Sequence, residues 1–346
     1  MPVTAQRIVF PGAGEVTTDL CVIHDPGPHQ LLVRTDRTAV SAGTEMTGLL
    51  GVHPVNRAYP VYPGYSHVGV VEAVGAGVTG VRVGDRVLSM GGHQSYLLLD
   101  CDPNRPDGPA YVEQVPDSVP SDQAAFAILG SVALHGIRRA RLQVGAATVV
   151  FGQGIVGQLL VQLARLSGCS PIIAVDTAPD RLERSRISGA DVVVRAGQED
   201  VAAAVGQATE GRGAEAVFDA TRTPATLPIM MKVAAVGGTV LVVGSLMGTV
   251  EIDAFVDLQL KELSIVGCYQ PAAPLQPHHT FPWTQARNRR IILAMMSDGR
   301  LRLDHLITHV VPATAAPAVF AMMERGPGGW LGVVLTWNEP DTGTTS

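Results

Sequence analysis

The sequence of 346 residues predicts an α/β protein in which a doubly wound parallel sheet adjoins a β-rich domain. In the middle of the chain, short runs of β-branched residues alternate with segments that repeat apolar residues at helical spacing. The first 120 residues instead show short apolar runs separated by Gly, Pro and Asp, which is typical of antiparallel sheet. The length is sufficient for two domains, and a hydrophobic share of 46% can fill their cores.

Six apolar runs in the middle of the chain predict the strands of the parallel sheet. They are residues 147–151, 172–175, 192–194, 216–218, 239–243 and 264–267. Helices are expected over residues 155–166 and 179–188, between the first three of these strands. Six strands alternating with helices correspond to one complete Rossmann-type dinucleotide-binding domain.

The rest of the chain predicts a second domain built from both ends of the sequence. Before the parallel sheet, strands are expected over residues 33–39, 69–74, 81–87 and 95–99, with no long amphipathic helix among them. After Cys268, helices are expected at 290–296 and 315–323, followed by a strand at 331–336. We therefore expect a catalytic domain (1–124), a nucleotide-binding domain (125–268) and a return to the catalytic domain (269–346), with the active site in the cleft between domains.

Charge and cysteine spacing restrict the partners and the compartment. The net charge is −6 and no run of Lys and Arg forms a basic patch, which argues against nucleic acid. No apolar run reaches membrane-spanning length, and the first residues do not have the pattern of a signal peptide. The four cysteines are far apart and show no metal-binding or disulfide spacing. We expect a cytoplasmic protein with a small-molecule substrate.

A glycine-rich segment follows the first strand of the predicted parallel sheet and opens a helix. It comprises Gly152, Gln153, Gly154, Ile155, Val156 and Gly157. The first glycine permits a tight turn, the second lets the backbone approach a pyrophosphate, and the third lets helix and strand pack closely. The N-terminus of the helix offers free N–H groups to the phosphates. The segment therefore predicts a dinucleotide site.

Asp176, at the end of the next strand, bears on the choice of nucleotide. A carboxylate at this place accepts hydrogen bonds from the adenosine ribose and repels the additional phosphate of NADP. It also stands where it could cap the helix that follows. Arg181 lies close by in the sequence, and a guanidinium there can contact adenosine or a 2′-phosphate. We expect NAD(H) to be favoured over NADP(H).

Several motifs together resemble the medium-chain dehydrogenase/reductase superfamily over nearly the whole chain. Residues 64–87 are similar to its signature from the first glycines to the closing Gly-Asp-Arg-Val, and residues 131–137 are similar to the helix leading into its nucleotide domain. The resemblance implies a GroES-like catalytic domain, further cofactor contacts near Val243, Gly244 and Tyr269, and a homodimer. In such a dimer the last strands of the two nucleotide domains join, here residues 240–245 and 262–267.

The chain departs from zinc-dependent members of that superfamily at the metal ligands. Ala42, Tyr65 and Ile128 stand where those members have ligating side chains, and none of the three can hold zinc. The four-cysteine lobe that binds structural zinc is also absent. His67 and His93 are the residues that could rebuild a metal site, but we expect no zinc. Segments 41–45, 64–66 and 129–136 resemble a zinc-free branch that includes bacteriochlorophyllide dehydrogenase-like proteins, and residues 287–309 resemble polyol, cyclitol and sugar dehydrogenases of bacterial secondary metabolism.

Without zinc, other groups must stabilise developing charge or deliver a proton. The candidates are Tyr65, Thr44, His135, Glu45, Ser66 and His93. Tyr65 either donates to the substrate oxygen or fills the vacated space, and Thr44 either relays protons or caps a turn. Glu45 and Ser66 could support them, although Glu45 could instead pair with a buried Arg. His135 could reach the cofactor or pack at the domain junction, and His93 is expected to begin a strand near the cleft.

The leading functional hypothesis is zinc-independent hydride transfer between NAD(H) and a secondary alcohol or ketone on a polyhydroxylated ring. An ene-reductase of the same fold, which sends hydride to the β-carbon of an enone, is an alternative because it also needs no zinc. A protein that binds the nucleotide without turnover is the alternative from another class.

Overall fold

The computed structural model describes residues 2–52, 58–102 and 111–337, and its amino-terminal part is rich in β-strands. The elements of this part are β1 (Val3–Val9), β2 (Thr17–Ile23), β3 (Gln30–Ala39), α1 (Ala42–Leu49), β4 (His67–Val74), β5 (Arg86–Ser89), β6 (Tyr96–Asp100) and β7 (Val112–Gln114). Strands β1 and β2 form an antiparallel pair, while β3 pairs with β4 and β6. Leu31, Val33, Val71, Val87 and Leu97 alternate into a buried cluster, as expected for sheets with one face covered.

The middle of the chain forms a six-stranded parallel sheet covered by helices. The elements in order are α2 (Ser121–Ala124), α3 (Ala127–Ala140), β8 (Thr148–Phe151), α4 (Ile155–Leu166), β9 (Ile172–Asp176), α5 (Pro179–Ser188), β10 (Val192–Arg195), α6 (Val201–Ala208), β11 (Ala214–Asp219), α7 (Leu227–Val233), β12 (Ala234–Val242) and β13 (Ser264–Gly267). The strand order is β10-β9-β8-β11-β12-β13. The order reverses between β8 and β11, and this switch point is where α/β sheets bind nucleotides.

The carboxyl-terminal part shares its sheet with the start of the chain. It comprises α8 (Gln285–Ser297), β14 (Ile307–Pro312), α9 (Ala316–Glu324) and β15 (Gly332–Thr336). Strand β15 pairs with β14 on one side and with β3 on the other, in the sheet of order β14-β15-β3-β4-β5-β7. Helix α3 packs against α4, α8 and β12, so it joins the two sheets through one continuous apolar core. Within the described ranges, no helix has both the length and the apolar character needed to cross a bilayer.

Three expectations about secondary structure were wrong. The strand expected over residues 81–87 begins only at Arg86, because the side chain of Asp85 accepts a hydrogen bond from the Arg82 backbone N–H at 2.8 Å and closes a turn. His93 does not begin a strand, since β6 starts at Tyr96. Thr44 lies in the first turn of α1 instead of a loop turn.

Candidate active site

The glycine-rich segment forms an open cradle at the end of β8. Gly152 has a φ of +84°, a conformation that L side chains rarely adopt. A Cβ added to Gly157 would lie 1.8 Å from the Gly152 carbonyl oxygen, so loop and helix approach too closely for any other residue. A Cβ added to Gly154 would meet only Arg181, at 4.0 Å, and no side chain caps the first turn of α4. Free N–H groups at a helix start beside open space fit a pyrophosphate.

The other members of this segment contribute through their backbones. The Gln153 side chain is fully buried, donates to the Val150 carbonyl and accepts from Ser185, so it points away from the cradle. Ile155 is buried and would contact any side chain at Gly332, which ties the start of α4 to the sheet of the other domain. Val156 packs at the edge of the main core. The expected contacts of these residues with phosphate can therefore come only from main-chain groups.

Asp176 holds the glycine-rich segment and the start of the next helix in place through its carboxylate. One carboxylate oxygen accepts from the Gln153 backbone N–H at 2.6 Å, and the other accepts from the Ala178 backbone N–H at 2.8 Å. The residue that precedes α5 is Ala178, which has no capping side chain, so Asp176 closes the turn before the helix and is not its N-cap. Each carboxylate oxygen has further acceptor capacity, which suits the hydroxyls of a ribose.

Three arginines flank this crevice, and only Arg181 was identified from the sequence. Arg181 is 8% exposed and lies under the Trp330 ring, 4.8 Å from its centroid. Burial lowers the pKa of Arg181, and the charge of Arg222 lowers it further. Arg195 stands opposite Asp176 in the register of β9 and β10 and donates to the Thr177 carbonyl at 3.3 Å. Sequence spacing gives no sign of Arg195, because its place depends on strand pairing.

The ends of β11 and β12 supply the other wall of the crevice. Asp219 is fully buried; one of its carboxylate oxygens accepts from the Thr221 hydroxyl at 2.6 Å, and the other has no partner among the described residues. Burial raises the pKa of Asp219 to about 6. A Cβ on Gly244 would lie 2.1 Å from the Thr221 carbonyl oxygen and 2.9 Å from that unpartnered oxygen. Only glycine fits there, and Val243 beside it packs toward Gly136 of α3.

Tyr65 and Thr44 share the wall of a cavity of about 200 Å³ in the β-rich domain. The cavity is lined by Phe10, Thr44, Glu45, Gly48, Val61, Tyr62, Pro63, Gly64 and Tyr65. The Tyr65 hydroxyl lies 2.5 Å from Ser41 Oγ and also forms a hydrogen bond with Thr44. Burial raises the pKa of the Tyr65 phenol above its ordinary value, while these two hydrogen bonds partly oppose the shift. Thr44 is exposed, so a chain of hydroxyls runs from Tyr65 to solvent.

Glu45 pairs with a histidine, and the alternative of a buried arginine partner was wrong. One Glu45 oxygen accepts from the Ser41 backbone N–H at 2.7 Å, and the other lies 2.8 Å from His93 Nε2. His93 Nδ1 lies 2.8 Å from Thr38 Oγ1, which also accepts from the Trp337 indole at 3.0 Å. An indole N–H only donates, so Thr38 accepts from Trp337 and its own hydroxyl proton is free to be donated to His93 Nδ1. His93 then carries its proton on Nε2 and donates it to Glu45.

Three further predicted residues lie away from this cavity. Ser66 is buried and donates to the Ala125 carbonyl, so its hydroxyl connects β4 to the segment before α3 and does not face the substrate space. His135 and Tyr269 line a second cavity between α3 and the segment after β13. His135 therefore does not join Tyr65 and Thr44, and Tyr269, with 72% of its surface exposed, lies near the open end of the parallel sheet.

The residues present do not fit a catalytic metal. Ala42, Tyr65 and Ile128, which the sequence resemblance sets against the zinc ligands, have no side chain that ordinarily binds zinc. His67 could not replace them, since its two ring nitrogens are bonded to Ser89 and Thr35 at 2.8 and 2.9 Å. Burial lowers the pKa of His67 to about 3, and both nitrogens of His93 are likewise engaged. In the described part of the chain, no three His, Cys, Asp or Glu residues are grouped so that they could hold a metal ion.

Comparison with known proteins gives matches over both domains. Residues 27–150 match the family model of the alcohol dehydrogenase GroES-like domain, and residues 156–284 match that of the zinc-binding dehydrogenases. An alcohol dehydrogenase of Cupriavidus necator is 29% identical, over 89% of this chain and 92% of its own length. Chicken (Gallus gallus) sorbitol dehydrogenase is 26% identical, over 95% and 96%. The crystal structure of a zinc-binding dehydrogenase from Sinorhizobium meliloti bound to NADP superposes with a TM-score of 0.79 at 22% identity, covering 96% of this chain and 99% of that one.

Proposed function

The chain belongs to the medium-chain dehydrogenase/reductase superfamily and is an NAD(P)-dependent oxidoreductase, and from this premise we propose that it interconverts a secondary alcohol and a ketone without zinc. The observation that carries the proposal is the Tyr65 hydroxyl. It lies at the wall of the cavity, held by Ser41 and Thr44. The sequence resemblance sets Tyr65 against a zinc ligand of the zinc-dependent members. The substrate we propose is a polyol or a hydroxylated ring, in keeping with the similarity to sorbitol dehydrogenase.

The nucleotide crevice fits a nicotinamide cofactor, which when bound supplies or accepts the hydride. The backbone of residues 152–157 would hold the pyrophosphate, and Arg181 and Arg222 would favour its charge. Asp176 would accept from the adenosine ribose and disfavour a 2′-phosphate, which supports NAD(H). Because Arg195 beside it offers a positive charge to the 2′-phosphate of NADP(H), we propose that the chain prefers NAD(H) but can also bind NADP(H).

In the direction of ketone reduction, Tyr65 donates a hydrogen bond to the carbonyl oxygen and then its proton to the alkoxide. The raised pKa of the phenol keeps that proton in place at neutral pH. Ser41 and Thr44 stabilise the phenolate that remains, and Thr44, being exposed, returns a proton to it from solvent. Glu45 and His93 contact neither reacting oxygen. They hold the Ser41 backbone and the first turn of α1, so they act as positioning residues.

Tyr65→Phe tests this assignment against a matched variant of the same cavity. We expect kcat with NADH and a panel of cyclic ketones to fall by about 100-fold or more, since positioned proton transfer contributes that much. The affinities for NADH and NADPH, measured by fluorescence titration, should not change. Tyr62→Phe is the control, because Tyr62 lines the same cavity and, among the described residues, its hydroxyl forms a hydrogen bond only with Arg7, at 3.1 Å.

Three outcomes would contradict the proposal. If Tyr65→Phe reduced ketones at the wild-type rate, Tyr65 would have no part in the proton transfer. Reduction of enones but not of the matching saturated ketones would favour an ene-reductase. About one zinc per chain in the purified enzyme, lost on substitution of His67 or His93, would establish a metal site that uses other residues.

A further inference from the structure

The second cavity, between α3 and the segment after β13, has no role in the proposed proton transfer. It measures about 410 Å³, which is the size of a site for a small organic molecule. It is lined by His135, Arg139, Gly267, Tyr269, Ala272, Pro274, His278 and Phe281. His135 and Arg139 are four residues apart on α3, so they project from the same face of the helix. The segment after β13 forms the opposite wall.

His135 differs from the other buried histidines near the proposed active site. Only 5% of it is exposed, yet its Nδ1 has no hydrogen-bond partner among the described residues. His67 and His93 have partners for both ring nitrogens. The Phe281 ring stands edge-on to the His135 ring at 5.8 Å, which fixes its orientation without a hydrogen bond. Buried polar groups are nearly always bonded, so the His135 ring is available to a ligand.

The charges around this cavity have one sign. Arg139 is exposed, and no hydrogen bond or ion pair of its guanidinium is found in the described ranges, although its charge reaches both His135 and Cys268. Arg138 has other partners: its guanidinium stacks 3.8 Å from the Trp283 ring centroid and donates to the Asn288 side chain. None of the residues that line the cavity is an acid. Burial and the two arginines lower the pKa of His135 to about 4, so its ring is neutral at physiological pH.

The cavity lies beside the nucleotide crevice. Gly136, the neighbour of His135, faces Val243 at the end of β12, where an added Cβ would lie 2.9 Å from the Val243 side chain. Gly267 is the last residue of β13, the next strand of the same sheet. In a parallel sheet of this kind, ligands bind outside the carboxyl ends of the strands. A molecule in this cavity is therefore close to the strand ends that we propose to hold the cofactor.

We propose that the second cavity binds a small organic molecule that carries an oxyanion, with Arg139 pairing to the oxyanion and His135 donating a hydrogen bond. The oxyanion is a carboxylate or a phosphate ester, and this site is separate from the proposed proton transfer at Tyr65. A guanidinium presents N–H donors in a fork that matches both groups. The Tyr269 hydroxyl adds a further donor at the exposed rim. The volume exceeds that of a lone ion, which is why the oxyanion belongs to a larger molecule.

Calorimetric titration with inorganic phosphate and with acetate tests the site without turnover. The holoenzyme is used with saturating NADH, so that the pyrophosphate cradle is filled. We expect Arg139→Gln to weaken binding of the preferred anion about tenfold or more, as loss of a charge-assisted contact does. Gly267→Leu should abolish it, because nothing lies within 4 Å of a Cβ added to Gly267 and the side chain can enter the cavity. Arg325→Gln, which removes an exposed charge on the other domain, should bind as the wild type does.

The relative affinities for the two anions decide the class of the ligand. Stronger phosphate than acetate binding would assign the site to phosphate esters, and the reverse would assign it to acids. Anion binding unchanged in Arg139→Gln and Gly267→Leu would overturn the inference while leaving the proposed dehydrogenase reaction intact. Anion binding that depends on Arg139 in an enzyme that turns over no alcohol or ketone would refute the proposed function instead.

Discussion

Asp219, a buried acid in the wall of the nucleotide crevice with one unpartnered carboxylate oxygen, makes the stability of the protein depend on pH. Burial raises the pKa of this carboxyl to about 6, above its value in the unfolded chain. The folded protein therefore binds more protons than the unfolded one between about pH 4 and 6, and stability falls as the pH rises through this range. We expect the free energy of unfolding of the wild type to lose about 1.5 kcal/mol from this group between pH 5 and 7.5.

Asp219→Asn should remove that contribution. Urea unfolding of both proteins at pH 5 and pH 7.5 measures it, and the variant should show a flatter dependence on pH. The amide oxygen of Asn can still accept from Thr221, so the local turn is kept. An identical pH dependence in the two proteins would mean that Asp219 ionises normally and that its second oxygen has a partner.

Single residues show what the sequence could and could not predict. Tyr65, Thr44 and Glu45 were singled out because short motifs resemble those of the superfamily, and the structure places all three at one cavity, where the roles given to them are proposals. Ser41 was missed, since a serine before a helix is ordinarily read as a cap, and here its hydroxyl contacts Tyr65, which lies in the segment before β4. Asp219 carries a detectable signal, an acid directly after a buried apolar run, but its unpartnered oxygen appears only with the three-dimensional contacts.

At the scale of elements, the turn between β8 and α4 depends on Gly157. An added methyl group would fall 1.8 Å from the Gly152 carbonyl oxygen, a backbone atom that cannot move without opening the cradle. We expect Gly157→Ala to weaken NADH binding at least tenfold, measured by fluorescence, and to lower the melting temperature. Gly206→Ala is the matched control on α6, where an added Cβ has no neighbour within 4 Å.

That control should behave in the opposite way. Alanine in place of glycine inside a helix stabilises by about 0.5–1 kcal/mol, so Gly206→Ala should raise the melting temperature and leave NADH affinity unchanged. Equal NADH affinity in wild type and Gly157→Ala would show that the cradle tolerates displacement and does not hold the pyrophosphate.

Strands with a continuous apolar run were predictable, and strands without one were not. Each of the six parallel strands lies where its apolar run indicated, from β8, which is buried along its whole length, to the edge strand β13, which is mostly exposed. Strands β1 and β2 were missed: they form a separate two-stranded sheet in which Leu20 and Val22 are 71% and 60% exposed. Strand β14 was missed as well, and most of its residues are only partly buried. In β1, β2 and β14 polar residues interrupt or precede the apolar ones, so the sequence offers no run through the strand from which it could be predicted.

At the scale of the whole molecule, the parallel sheet ends in β13, an edge strand to which another strand could pair. In the described structure β13 pairs only with β12, and its outer edge is free. Ile265 on this strand is 39% exposed, and the short π-helix Ala254–Gln259 with its C-cap Leu260 exposes Phe255, Val256 and Leu260 at 57%, 50% and 59%. An unprotected edge beside an apolar surface is a site of association. We propose that two copies of the chain join here, β13 to β13, as the family resemblance implies.

Ile265→Asp tests this assembly. A carboxylate on the edge strand of each copy would bring two like charges into the same interface and remove an apolar contact from each side, and both changes oppose pairing. Light scattering coupled to size exclusion should show a dimer for the wild type and a monomer for the variant at micromolar concentration. Ile187→Asp, which alters an apolar residue 48% exposed on α5, should remain dimeric. A wild type that elutes as a monomer, or an Ile265→Asp variant that stays dimeric, would place the interface elsewhere or remove it, and the free edge of β13 would then need another explanation for its exposed apolar side chains.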